Sequence, residues 1–259
     1  MNYEYFVLEK EENVLKVKID RPNNLNALNS EVLKELDQLL NEIESDEDVY
    51  VSVFTGEGKA FIAGADIDEM KEFDFNEAVK FSEIGQRVFL KLEEMSKPTI
   101  AAINGYCLGG GNEFALSCDI RIASEKAKFG QPEVTLGITP GFAGTQRLAK
   151  LVGVSAAKEI VFTGGIYDAE HAKSIGLVSK VIGKDELIDE AMILAKKIAK
   201  NGQIAIRCSK KAINEGSHRD ITIGNKIEAN YFGITFNTKD QKGAMKAFLS
   251  KEKYEFENK

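Results

Sequence analysis

The chain has 259 residues, 43% hydrophobic and 29% charged, which is enough to bury one large core or two modest ones and is not the composition of a disordered protein. Its net charge of -7 opposes non-specific nucleic-acid binding, and no apolar run reaches the roughly 18 residues that a membrane-spanning helix needs. Three cysteines (Cys107, Cys118, Cys208) without CxxC spacing and two histidines (His171, His218) supply neither a disulfide framework nor a usual zinc ligand set, so free thiols and no metal are expected.

The N-terminal MNYEYFVLEKEE carries acids where a signal peptide has basic and then apolar residues, which predicts a cytoplasmic protein. VLKVKID (14–20) alternates with period 2 and reads as a strand. SEVLKELDQLLNEIE (30–44) places Val32, Leu33, Leu36, Leu39, Leu40 and Ile43 on one helical face behind a candidate Ser30 cap. YVSVFTG (50–56) and AFIAG (60–64) are strand-like, EAVKFSEIGQRVFLKLEEM (77–95) is an amphipathic helix, and TIAAI (99–103) and CDIRIAS (118–124) are further strands. This alternation argues for a layered α/β structure. Beyond about residue 184 the strand signals stop and only helical patterns follow, which predicts a core domain over 1–195 and a helical C-terminal domain over 196–259.

NGYCLGGGNE (104–113) sets three adjacent glycines before an acid, between a buried strand and the start of a helix. It is not a dinucleotide fingerprint, because Phe114 stands where GxGxxG needs its last glycine, and GEGKAF (56–61) lacks the end of a phosphate-binding loop. Two readings remain from the residues alone. Glycines at this junction could bring a ligand oxygen close to backbone N–H groups at a helix N-terminus. Alternatively, they could form a tight packing turn in which Glu113 merely complements the helix dipole. FIAGADIDEM (61–70) repeats the arrangement of strand, glycine and acidic helix start, and FGQPEVTLGITPGFAGTQRL (129–148) adds a second acid, Glu133, in a segment whose Pro132 disfavours regular helix. His171, Cys107 and Cys118 read as surface and packing residues.

AGAD, NGYCLGGGNE, CDIRIAS, FGQPE and PGFAGTQRL, in this order and after DRPNNLNALN, resemble the crotonase (enoyl-CoA hydratase/isomerase) superfamily over essentially the whole chain, with most similarity to bacterial short-chain enoyl-CoA hydratases. The resemblance implies a spiral of ββα units with a helical C-terminal domain that assembles trimers into a homo-hexamer. It implies an acyl-CoA thioester substrate, with coenzyme A as part of that substrate, no separate cofactor, and neither nucleic acid nor membrane as partner. It also implies that the amides of Ala65 and Gly110 bind the thioester oxygen, that Glu113 and Glu133 are the catalytic acids, and that the Gly141 amide holds the reacting water. Ala63, Asp66 and Ile67 fall where the family grips the adenine end of CoA. The chain has Asn112 where many hydratases have Cys and Asp68 where some have Lys, so basic residues elsewhere, such as Lys251 or Lys253, are expected to meet the phosphates instead.

The chemistry suits these residue types. Adding water to a double bond conjugated to a thioester pushes charge onto the carbonyl oxygen, where preorganised N–H donors contribute roughly 10²- to 10³-fold each. One carboxylate must accept a proton from water and the other deliver one to the α-carbon, here Glu113 and Glu133 respectively. The alternatives are an isomerase, thioester hydrolase or decarboxylase on the same fold, or a non-catalytic RNA-binding relative.

Overall fold

The computed structural model describes residues 3–259. Strands β1 (Phe6–Glu11) and β2 (Val14–Ile19) form an antiparallel hairpin, and helix α1 (Ser30–Ser45) follows. The cap of α1 is Asn29 rather than Ser30: its side chain accepts from the Val32 N–H at 2.8 Å, and Ser30 is already helical. Both residue types cap well, and the one in extended conformation took the position.

Three ββα turns come next. β3 (Val51–Gly56) and β4 (Ala60–Ile62) lead to α2 (Ile67–Met70) and α3 (Phe75–Glu94), the latter started by an Asp74–Glu77 capping box. β5 (Thr99–Ile103) and β6 (Tyr106–Leu108) lead to α4 (Gly110–Ser117). β7 (Ile120–Ser124) and β8 (Lys128–Gly130) lead, through a 3₁₀ turn at Pro132–Leu136, to α5 (Gly144–Val152) and α6 (Val154–Thr163). After β9 (Tyr167–Asp168), α7 (Ala169–Ser174) and β10 (Lys180–Ile182), the chain continues as α8 (Leu187–Ala199), α9 (Gln203–Gly216), α10 (Ile221–Thr235) and α11 (Lys239–Ser250).

The first strand of each turn joins a six-stranded sheet, ordered β1-β2-β3-β5-β7-β10 and parallel from β2 onward, while the second joins a four-stranded sheet, β4-β6-β8-β9. The chain therefore winds between two sheets, and corresponding elements of successive turns lie side by side. β3 and β5 are buried along their whole length because both faces are covered. Phe54, Ala101 and Ile103 enter the main core, whereas Val51, Val53, Ile100 and Ala102 meet Leu187, Ala191 and Ala195 of α8. The domain junction expected at 195–196 thus lies inside α8, a helix whose apolar face packs on the six-stranded sheet. From α9 the Lys210 ammonium reaches back to Asp119 at 2.8 Å and to the Lys97 carbonyl, tying the C-terminal helices to the spiral. Among the described residues, no helix is long and apolar enough to cross a membrane.

Phe114 anchors α4. Its ring meets Phe54, Phe61 and Phe89 in edge contacts with centroids 5.4–5.8 Å apart, and it is fully buried. Truncation there would leave a cavity directly under the glycine turn, so Phe114→Ala is expected to cost about 3–5 kcal/mol and lower the melting temperature by roughly 10 °C. Calorimetry of the variant checks this, and an unchanged melting temperature would show that α4 is not held by this cluster.

Candidate active site

A cavity of about 1430 Å³ opens between α2 and α3 on one side and the 132–142 segment on the other, with the start of α4 at its base. Ala63, Ala65, Ile67, Gly110, Glu113, Glu133 and Gly141 all line it. Seven of the eight residues singled out in the sequence are thus brought together. Asp66 is not among the lining residues: its carboxylate is held by Arg21 at 2.7 Å and caps α2 through the Asp68 N–H. Lys251 and Lys253 do not line the cavity either. Lys71, three residues beyond Asp68 and paired with it at 3.4 Å, does.

The glycine turn is demanded by geometry. Gly109 has φ +50° and ψ -121°, a conformation that side-chain-bearing residues avoid, and a Cβ there would sit 2.9 Å from the Glu133 Oε1. The next residue, Gly110, opens α4, so its N–H is one of the first-turn amides without an intrahelical acceptor. A Cβ on Gly110 would lie 3.3 Å from the Ala65 nitrogen, so the Ala65 and Gly110 backbones approach closely across the cavity base.

Glu113, in the first turn of α4, is 1% exposed. Its Oε1 accepts from the Phe142 N–H at 2.8 Å and the Gly144 N–H at 2.6 Å. Ala143, between those two donors, has φ +74°, an unfavourable left-handed conformation that turns both amides onto one oxygen. The surrounding segment is braced: Arg147 donates to the Phe142 carbonyl and pairs with Glu93 at 2.7 Å, while Ser82 and Gln86 of α3 donate to the Gly141 carbonyl.

Glu133 lies over Gly109 in the 3₁₀ turn. Its Oε1 accepts from the Gln131 Nε2 at 3.1 Å, and its Oε2 is buried without a hydrogen-bond partner among the described residues. Burial pushes Glu113 up to about 7, with the nearby negative Glu133 adding to the rise and the Gly144 and Phe142 amides pulling it back. Burial likewise pushes Glu133 up to about 7. Repulsion between two carboxylates is mutual, so the pair resists double ionisation near neutral pH. Such a pair can accept one proton and donate another within one pocket.

The sequence reading gave Gln131, Asn112, Lys71 and the amides of Phe142 and Gly144 no role. The one available signal was a glutamine directly before Pro132, just past the end of β8 at Gly130. His171 is exposed on α7 and stacks on Tyr167 with ring centroids 4.6 Å apart, outside this site, and Cys107 and Cys118 are buried.

The two-sheet ββα spiral thus holds a cavity in which close-set backbone segments and a carboxyl pair meet. The enoyl-CoA hydratase/isomerase family matches residues 9–259. The chain is 52% identical to the short-chain enoyl-CoA hydratase of Clostridium acetobutylicum over 98% of both sequences, and 48% identical to the crotonyl-CoA hydratase of Syntrophomonas wolfei over the whole of both. It superposes on the crystal structure of enoyl-CoA hydratase from Bacillus anthracis with a TM-score of 0.95 at 36% identity, covering 99% of this chain and 100% of that one. The chain belongs to the enoyl-CoA hydratase/isomerase family.

The raised carboxyl of Glu133 has a stability consequence. Between the ordinary glutamate value of about 4.5 and about 7, the folded protein holds a proton that the unfolded chain has released, so stability falls as pH rises through that window. Glu133→Gln removes this loss, and its stability advantage over the parent should grow between pH 5 and pH 8 by up to roughly 3 kcal/mol. Denaturant unfolding at the two pH values measures it; a pH-independent difference would mean that the Glu133 carboxyl is not raised.

Proposed function

We propose that the protein catalyses the reversible syn addition of water to a short-chain trans-2-enoyl-CoA such as crotonyl-CoA, giving the 3-hydroxyacyl-CoA, and the reverse dehydration of 3-hydroxybutyryl-CoA. The observation that carries this reading is the pair of buried Glu113 and half-buried Glu133, both raised to about 7, beside the Ala65 and Gly110 amides. The thioester oxygen accepts from those two N–H groups as charge develops on it. Glu113, ionised and fixed by two backbone donors, takes a proton from water, whose oxygen bonds to the β-carbon. Glu133, protonated, delivers a proton to the α-carbon. The pair gains one proton and loses one, so its total is unchanged, and no redox or cofactor step is called for. Coenzyme A enters as the handle of the substrate. It passes Ala63 and Ile67, with Lys71 supplying a cation for a phosphate and Asp66 acting through the Arg21 frame of the segment. The Gly141 amide steadies the water, its peptide held by Ser82 and Gln86.

The C-terminal unit, expected over 196–259, serves assembly in this reading. Its helices expose Ile221, Phe232, Phe248 and Leu249, all at least 65% accessible, as apolar surface for a trimer-based homo-hexamer.

Hydration of crotonyl-CoA, followed by loss of the enoyl-thioester absorbance, tests the proposal. Glu113→Gln and Glu133→Gln should each lower kcat by at least about 10²-fold with KM little changed, and the double variant should be far from additive. If one folded single variant keeps near-parental hydration, or if the enzyme instead shifts a 3-enoyl-CoA double bond with one acid alone, the two-carboxylate hydratase reading falls. Gly110→Pro deletes one donor and should lower turnover by about 10²-fold with circular dichroism unchanged. Normal turnover in that variant would remove Gly110 from the oxyanion site.

A further inference from the structure

Asn112 precedes Glu113 in α4 and is 1% exposed. Its Nδ2 donates to the Gln131 Oε1 at 2.8 Å, and the Gln131 Nε2 donates in turn to the Glu133 Oε1 at 3.1 Å. Gln131 itself is fully buried. Its Nε2 and the Glu113 Oε1 both lie 2.8 Å from the point that a Cβ on Gly144 would occupy, so the amide lies close to both carboxyl groups.

An amide side chain has a polarity that packing alone does not choose. Gln131 donates its NH₂ to the Glu133 Oε1, an oxygen that accepts both when the carboxyl is ionised and when its proton is on Oε2, and so turns its carbonyl away. Something on the far side must then donate to that carbonyl, and Asn112 does. The arrangement carries a cost, because the Asn112 Oδ1 is left buried without a partner among the described residues. An apolar side chain of the same size would fill the space without that loss. Packing therefore does not account for an asparagine here, whereas a requirement to fix the Gln131 amide does.

We propose that Asn112 is a positioning residue: it locks the Gln131 amide so that Gln131 donates to the Glu133 Oε1, which leaves the Glu133 Oε2 as the oxygen that carries the transferable proton. The inference rests on the proposed hydratase reading for what that proton does, and on the hydrogen-bond chain alone for the orientation. The charged groups that share the cavity with Glu133 are Glu113 from α4, Lys71 at the C-cap of α2 and Glu83 from α3, and Arg147 from α5 acts on Glu113; none of them is altered by a change at position 112.

The test uses Asn112→Leu, which keeps the branched shape and heavy-atom count and removes the donor, Gln131→Met, which removes the link, and the double variant. Loss of an N–H donor to a carboxylate disfavours its ionised form, so the Glu133 carboxyl, followed by NMR in protein labelled with ¹³C at the glutamate carboxyls, should titrate at higher pH by about one unit in Asn112→Leu. Gln131→Met should move it at least as far, and the double variant no further than Gln131→Met, because Asn112 acts only through Gln131. The alkaline limb of kcat/KM for hydration should move the same way, with kcat down about tenfold and KM within about twofold of the parent. Asn112→Cys, smaller and with only a weak S–H donor, should show a smaller shift in the same direction and stands in if the leucine variant does not fold. An unshifted Glu133 titration in a folded position-112 variant, or shifts that add in the double variant, overturns the proposal whatever the activity. A shifted titration in a protein that does not hydrate crotonyl-CoA would uphold the orientation and sink the hydratase reading instead.

Discussion

Two carboxyl groups share one pocket, and among the described residues neither makes an ion pair: Arg147, the positive charge acting on Glu113, is paired with Glu93, and Lys71 in the cavity wall is paired with Asp68. Burying a charge is costly unless it is compensated, and here the compensation is backbone N–H groups for Glu113 and a single amide for Glu133. Much of the local structure follows from that demand. Ala143 is held in a left-handed conformation so that two amides converge on one oxygen, and Gly109 takes a backbone conformation that lets Glu133 lie against it. The stability given up is returned as a pair poised near neutral pH, where one carboxyl can accept a proton while the other donates.

The winding of the chain assembles this pocket in a simple way. Each ββα turn adds one strand to the four-stranded sheet, and the segment leaving that strand contributes one part of the site. β4 leads to Ala65, β6 to Gly110 and Glu113, and β8 to Gln131 and Glu133. Because β4, β6 and β8 are parallel neighbours, three segments distant in sequence emerge at the same edge. The aromatic cluster around Phe114 fixes the middle segment, and the Arg147–Glu93 pair ties the following loop to α3. The precision asked of the carboxyl pair is thus met by rigid elements rather than by long loops.

Much of this was legible in the sequence wherever a period or a motif was long enough. The six-residue β2 and β3 and the helices α1 and α3 announced themselves by alternation or by one apolar face, and the two glycine turns with their acids marked the cavity. β6, β8 and β9 did not, because two or three residues carry no periodicity and the four-stranded sheet exists only through pairing across turns. The junction expected near residue 196 falls within α8, which has the composition of the helices that follow it while its alanines are buried against the sheet. The pairing of the Asp66 carboxylate with an arginine 45 residues earlier in the chain is signalled by no local motif around AGAD. The Asn112–Gln131–Glu133 chain was invisible for a related reason: 19 residues separate its amides, and only the folded turn brings them to 2.8 Å.

A pocket of this kind keeps about one proton on the carboxyl pair at neutral pH, and proton binding measures it directly. A potentiometric titration of the parent, minus that of the folded Glu113→Gln/Glu133→Gln double variant, isolates the protons held by the pair. With both groups near 7, the difference should be close to two protons at pH 5, about one at pH 7 and close to none at pH 9. A difference already near zero at pH 7, with uptake only below about pH 5 as for ordinary glutamates, would contradict the account.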